Sequence, residues 1–277
     1  VSSSKNRQYS QEELIMMELN NMANRNNVTF KGNYELNLSG EELEKRTHKD
    51  YLVTKKMLKA DAPEYLSLAD GDKEALKHLV KAAYILEKIN KQLDCHDNLE
   101  FEAFLNDEIK KGNKQAELTK ILYDAQKGIN AIDSMSTKIN LAKGITELPG
   151  KGVYPKDLSK EEFHSILNKM LDEGKTEDVK KILTQRSVVE RNGDELIGID
   201  YIDKFKEDFS KMADELEKAA KTSTNKDFNE YLALQAKALR TADPMLDAYA
   251  DKKWATLQDT PLEFTITREN YEDEMTG

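Results

Sequence analysis

The amino-acid sequence predicts a mainly α chain of the α+β kind, a helical domain with a small β-element. Three observations carry this expectation. Apolar residues recur at helical spacing in several long stretches between residues 70 and 246. Asn192-Gly193 stands between short runs rich in valine and isoleucine, the sign of a tight hairpin. Near the end, Leu262-Glu263-Phe264-Thr265-Ile266-Thr267 alternates with period two and predicts a strand. Self-similarity at a period of roughly 33 to 47 residues is absent, which argues against a helical solenoid.

Residues 1–60 are expected to form an extension with short helices. Leu14, Ile15, Met17, Leu19 and Met22 give one short amphipathic segment, ended by the asparagine-rich stretch 20–27. Residues 28–38 alternate in part and suit an extended chain. Residues 39–48 begin a helix, with Glu41 and Glu42 near its positive end. A clearer helix follows, with Asp70 or Asp72 as cap. Leu76, Leu79, Val80, Ala83, Leu86, Ile89 and Leu93 form its core-facing stripe. His78, beside that stripe, reads as a packed or half-exposed histidine. Asp94-Cys95-His96-Asp97-Asn98 breaks the pattern before a helical region expected from Leu99 to about Lys143, with interruptions near Gly112-Asn113 and at Gly128.

Residues 144–157 hold three glycines and two prolines and read as an internal linker between helical groups. Gly150-Lys151-Gly152 lacks the further glycine and the strand-to-helix setting of a phosphate loop. Ser159-Lys160-Glu161-Glu162 has capping-box spacing and starts a helix through Phe163, Ile166, Leu167, Met170 and Leu171, which Gly174 ends. Residues 177–183 give a short helix, and 187–199 the hairpin. Two long helices follow. Ile202, Phe205, Phe209, Met212, Leu216 and Ala219 line the first; Phe228, Leu232, Gln235, Leu239 and Leu246 line the second, with Asn225 as its cap. Together they should form a helical hairpin.

Composition narrows the function classes. With 42 basic and 52 acidic residues the formal net charge is -10, which disfavours non-specific attraction to nucleic acid or an anionic membrane and makes basic peptides the easier partners. No stretch approaches the roughly 20 apolar residues of a membrane span. A single cysteine, Cys95, excludes an intrachain disulfide. Adjacent Cys95 and His96 are poorly placed as a thiol-base pair, because neighbouring side chains diverge. Asp94, His96 and Asp97 lack a separated further metal ligand and read as a turn. The chain starts at Val1, so a leader could have been removed; a soluble protein of the cytoplasm or the cell envelope is expected.

The last nine residues are the most informative. If the extended geometry of the terminal strand continues, Glu269, Tyr271 and Asp273 project to one face. A carboxylate there could hold an ammonium group, and the phenol could donate to a carbonyl oxygen. Spacing alone leaves a second reading open, of solvated acids around a packing tyrosine.

Residues 254–277, WATLQDTPLEFTITRENYEDEMTG, resemble a stretch of the dipeptidyl-peptidase III-like zinc metallopeptidases, in the branch with bacterial and plant Nudix-fused members. There a Trp and a strand lead into an E-T-Y-x-D-E type sequence. Glu269, Tyr271, Asp273 and Glu274 fit it, while Asn270 replaces the Thr. Residues 66–73 with 81–86, residues 152–158 with 161–163, and residues 187–191 are similar to further family segments in the same order. The chain departs at 243–251, where members carry a Tyr- and Ser-rich stretch and only Asp251 keeps its place.

The resemblance implies an incomplete lobe of a two-lobed peptidase, with residues 61–277 as its amino-terminal helical and β portion. One family lobe carries zinc and the other supplies substrate contacts; this chain would belong largely to the second. Glu269 and Asp273 would bind a peptide substrate and Tyr271 would serve catalysis. A zinc site of this type needs two histidines one turn apart with a glutamate, as HExxH or HExxGH. None of His48, His78, His96 and His164 has such a partner. The metal is therefore expected only in a longer enzyme whose C-terminal zinc-bearing lobe is missing here, and these residues alone would be inactive. The rival expectation is a non-catalytic α-helical peptide- or protein-binding domain.

Overall fold

A computed structural model describes residues 33–48, 66–132, 138–241 and Met275. The terminal strand, the amphipathic segment at 14–22, residues 28–32 of the 28–38 segment and the 243–251 departure lie outside the described residues. Those described are mainly helical: α1 (Gly40–Thr47), α2 (Asp70–Asp94), α3 (Asn98–Lys110), α4 (Lys114–Gln126), β1 (Asn130–Ile132), β2 (Lys138–Asn140), α5 (Lys160–Asp172), α6 (Thr176–Ile182), β3 (Ser187–Asn192), β4 (Glu195–Asp200), α7 (Tyr201–Lys204), α8 (Lys206–Thr222) and α9 (Lys226–Arg240). The predicted mainly α class with a small β-element is what the fold shows.

Contacts divide the chain into two compact units. In the first, made of 1–27, 56–84 and 210–265, Asn225 caps α9 by accepting from Phe228 N–H at 2.9 Å, as its position predicts. Phe228, Leu232, Gln235 and Leu239 are buried along that helix. Arg240 returns to Asp214, Glu217 and Ser210 of α8, which makes the two helices antiparallel neighbours. Asp72 is not a cap. It lies in the first turn of α2, 3% exposed, and holds the N–H and hydroxyl of Thr224 at 2.9 and 2.8 Å. His78 sits between Glu215 at 2.6 Å and Glu74 at 3.3 Å, the packed role expected of it.

The second unit comprises 28–55, 85–209 and 266–277. Its core gathers Leu43, Phe101, Phe104, Leu105, Leu122, Tyr123, Ile129 and Leu141. Tyr34 meets Phe101 edge-on at 5.5 Å, a favourable aromatic geometry. Ser39 caps α1 through Glu42 N–H, and Asn113 caps α4 through Ala116 N–H.

Four local expectations change. Residues 130–140 form strands, not helix: α4 ends at Lys127 in the left-handed region (φ 61°), and β1 pairs antiparallel with β2. Asn140 fixes that turn, donating to Asn130 Oδ1 and accepting from Ala142 N–H, while Leu36 bridges Ala142. Along α2 the buried stripe is Ala75, Leu79, Ala82, Ile85, Ile89 and Leu93, and Ala83 is exposed. The helix predicted from Ile202 breaks at Phe205 (φ -110°, ψ 32°) into α7 and α8. In the β3–β4 hairpin, Asn192 pairs with Glu195, so the turn residues are Gly193 (φ 62°) and Asp194.

One side chain ties three elements of the second unit together. Asn98, fully buried, donates to Lys91 O at 2.7 Å and accepts from Ile129 N–H at 2.8 Å. Its alanine variant leaves the buried Ile129 N–H without its partner and takes one of two donors from Lys91 O, which keeps the Cys95 N–H. Urea denaturation should show N98A less stable by about 2–4 kcal/mol; a loss below about 1 kcal/mol would mean the site relaxes around the cavity.

Candidate functional site

Glu269, Tyr271 and Asp273 lie outside the described residues, and so does Trp254. Within the second unit a half-open groove of about 450 Å³ runs along β3. Its wall includes Gln92 and His96, Gly152 and Pro155, residues 188–191 of β3, and Lys204 and Phe205.

The segment 150–155 builds one side of it. Gly152 N–H donates to Leu93 O at 2.9 Å, at the end of α2. A Cβ on residue 152 would run into the Gln92 carbonyl oxygen, so only glycine allows this approach. The next residue accepts from β3: Val189 N–H donates to Val153 O at 2.8 Å. Val153 and Tyr154 are buried, and Tyr154 stacks edge-on against Phe163 at 5.3 Å. His96 closes the corner by donating Nε2–H to Tyr154 O at 2.5 Å; the carbonyl only accepts, so this nitrogen carries the proton.

Charges along the groove are matched within the protein. Arg191 forks onto both oxygens of Glu162 at 2.9 and 3.0 Å and reaches Asp157 at 3.2 Å. These hydrogen bonds hold the guanidinium above its ordinary range and the Glu162 carboxyl below its own. All three groups face solvent, which weakens the pairing. Ser159 caps α5 through Glu162 N–H as the capping-box spacing predicts, but the Glu162 carboxylate goes to Arg191. Lys204 pairs with Glu190. At the base of the corner, Asp97 is 7% exposed and accepts from Tyr34 at 3.0 Å and Lys156 at 2.9 Å. Burial, with Asp97 and Glu100 alongside, raises the Tyr34 phenol.

Among the described residues the groove presents no activated nucleophile. Burial pushes the Cys95 thiol up to about 11, and its neighbour His96 is committed to a main-chain carbonyl. The sequence expectation that the two do not act together agrees with this geometry. Among the described residues no three His, Cys, Asp or Glu side chains converge as a metal site. Sequence reasoning reached Val189 and Arg191 only through the 187–191 segment and the hairpin, and did not reach Gln92 or Lys204. No periodicity marks the strand edge that another segment will leave open.

No family model matches the chain, and no curated protein sequence is significantly similar to it. Two solved structures are similar in fold. DPP III from Caldithrix abyssi matches with a TM-score of 0.57 and 25% identity, over 69% of this chain and 34% of that one. Dipeptidyl-peptidase III from Corallococcus sp. strain EGB matches with a TM-score of 0.60 and 17% identity, over 79% of this chain and 38% of that one. The chain thus has a dipeptidyl-peptidase III-like fold and spans little more than a third of the length of these structures. Among the described residues no helix is long and apolar enough to cross a membrane.

A thiol held this high is mostly protonated at neutral pH and reacts slowly. Iodoacetamide at about pH 8 should label Cys95 at least about tenfold more slowly in the native protein than in urea. Equal rates would show an accessible, ordinary thiol.

Proposed function

We propose that this chain is the amino-terminal, substrate-cleft portion of a dipeptidyl-peptidase III-like peptide hydrolase. The observation that carries the reading is the fold likeness to two dipeptidyl-peptidase III structures, with TM-scores of 0.57 and 0.60 over 69% and 79% of this chain. Helical proteins share local geometry easily. Here the likeness adds to sequence segments that fall in the family's order, ending in Glu269, Tyr271 and Asp273.

The roles follow from side-chain chemistry. Glu269 pairs with the free ammonium of a bound peptide, a charge-assisted contact that sets its register. Asp273 adds a second carboxylate, which an extended chain would turn to the same side as Glu269. Tyr271 donates its hydroxyl to the carbonyl next to the scissile bond, where negative charge develops. A peptide with a blocked amino terminus would lose the first contact and bind less well.

The described residues do not fit a zinc centre. His78 is taken up by Glu215 and Glu74, and His96 by Tyr154 O. The reading therefore places the metal on residues outside this sequence, in the zinc-bearing lobe, and expects no hydrolysis from these residues alone. The family branch, whether with bacterial or plant Nudix-fused relatives, rests on the sequence resemblance only.

Tyr271→Phe in the full-length protein keeps the ring and removes the donor. On a dipeptidyl-arylamide substrate, kcat should fall at least about tenfold while KM changes less than about threefold. Unchanged turnover would remove the proposed role of Tyr271. A rise in KM alone would make it a ground-state binding group.

A further inference from the structure

We propose that Asn192, at the tip of the β3–β4 hairpin, is a site of spontaneous deamidation, in which the main-chain nitrogen of Gly193 displaces the side-chain amide and leaves an aspartyl or isoaspartyl residue.

The reaction needs a carboxamide free to turn, a following main-chain N–H without a partner, and no side chain shielding that nitrogen. The tip meets all three. Asn192 is exposed, and among the described residues its carboxamide makes no hydrogen bond. Gly193 N–H has no partner among them either. Where a Cβ on residue 193 would stand, nothing lies within 4 Å. Its φ of 62° is the left-handed value that the tight turn requires and that glycine supplies without strain. Asn192 is the last residue of β3 and pairs with Glu195, so opening this one pair at the end of the ladder frees its backbone to rotate.

No other asparagine of the sequence precedes a glycine. The carboxamides of Asn98, Asn113, Asn140 and Asn225 are each engaged in hydrogen bonds instead. At the tip, Gly193 N gives up its proton to a solvent base and attacks Asn192 Cγ. A C–N bond forms, the Cγ–Nδ2 bond breaks, and Nδ2 departs as ammonia with a proton from water. Water then opens the cyclic imide. Opening at Cγ gives aspartate with the main chain restored; opening at the main-chain carbonyl gives isoaspartate, whose chain runs through Cβ and Cγ. Either product sets a carboxylate opposite Glu195, and like charges directly opposite destabilise a ladder, an effect that the Lys175 pairing of Glu195 only softens. The isoaspartyl form also lengthens the main chain at a two-residue turn and breaks its register.

The test is ageing of the full chain in mildly alkaline buffer, followed by intact mass, with peptides cut by pepsin in acid locating the change and a sample in urea giving the rate of the unprotected chain. The result does not depend on the peptidase reading. Ammonia loss at Asn192 in the native protein should run within about tenfold of its rate in urea; a slower native reaction would overturn the proposal. Asn192→Gln keeps an exposed amide but requires a larger ring, so residue 192 should then react at least about tenfold more slowly. A smaller drop would show that Gly193 N is not the attacking group. In the aged protein the Glu195 amide hydrogen should exchange at least about tenfold faster than in the fresh one, and a smaller gain would overturn the loosening of the turn.

Discussion

The second unit depends on the turn that follows α2. Within four residues the chain places a fully buried amide, a nearly buried carboxylate and a ring nitrogen, and each is used on a segment distant in sequence. Asn98 fastens the end of α2 to the chain leaving α4. Asp97 receives Tyr34 from the amino-terminal segment and Lys156 from the loop before α5. His96 holds the carbonyl of Tyr154. A buried polar side chain costs free energy unless it is fully hydrogen-bonded, so this turn has little freedom to shift once its partners are in place. Asn98 also leaves no room at residue 128, where a Cβ would lie 2.9 Å from its Nδ2.

What the turn fixes, the neighbouring loop passes on. Gly152 brings the backbone against the last turn of α2, and Val153 one residue later receives β3. The hairpin is thereby held by a main-chain bond to a buried loop, while the Arg191 fork to Glu162 and Asp157 works on the solvent side. Of the two, the main-chain contact matters more for position, because exposed ion pairs are screened and individually weak. A rigid strand edge and a groove beside it are both by-products of how this loop packs.

Local chemistry was readable where the decision is local. Ser159 and Asn225 cap helices at the positions their spacing predicts, a helix starts after Ser39 as expected, and Gly174 at φ 79° ends α5. The Asn192-Gly193 signal found the hairpin and missed the turn by one residue, since Asn192 remains in the strand. What the sequence hid is decided at a distance. Residues 138–143 carry Ile139, Leu141 and Ala142, a pattern that suits a helix; pairing of Leu36 with Ala142 and of Glu35 O with Lys143 N–H pulls them into extended chain. Asp72 resembles a cap until Thr224, 152 residues on, takes both its oxygens. The proposed substrate residues were found through resemblance, and they fall beyond the residues described.

The central claim is that this chain forms part of a larger peptide hydrolase of the dipeptidyl-peptidase III kind. Intact mass of the native gene product, with metal content determined on the same sample, tests it most directly. The account predicts a species well above the 31.7 kDa of this chain, carrying about one zinc. A metal-free native product of 31.7 kDa would contradict it and leave Glu269 and Tyr271 as parts of a binding surface.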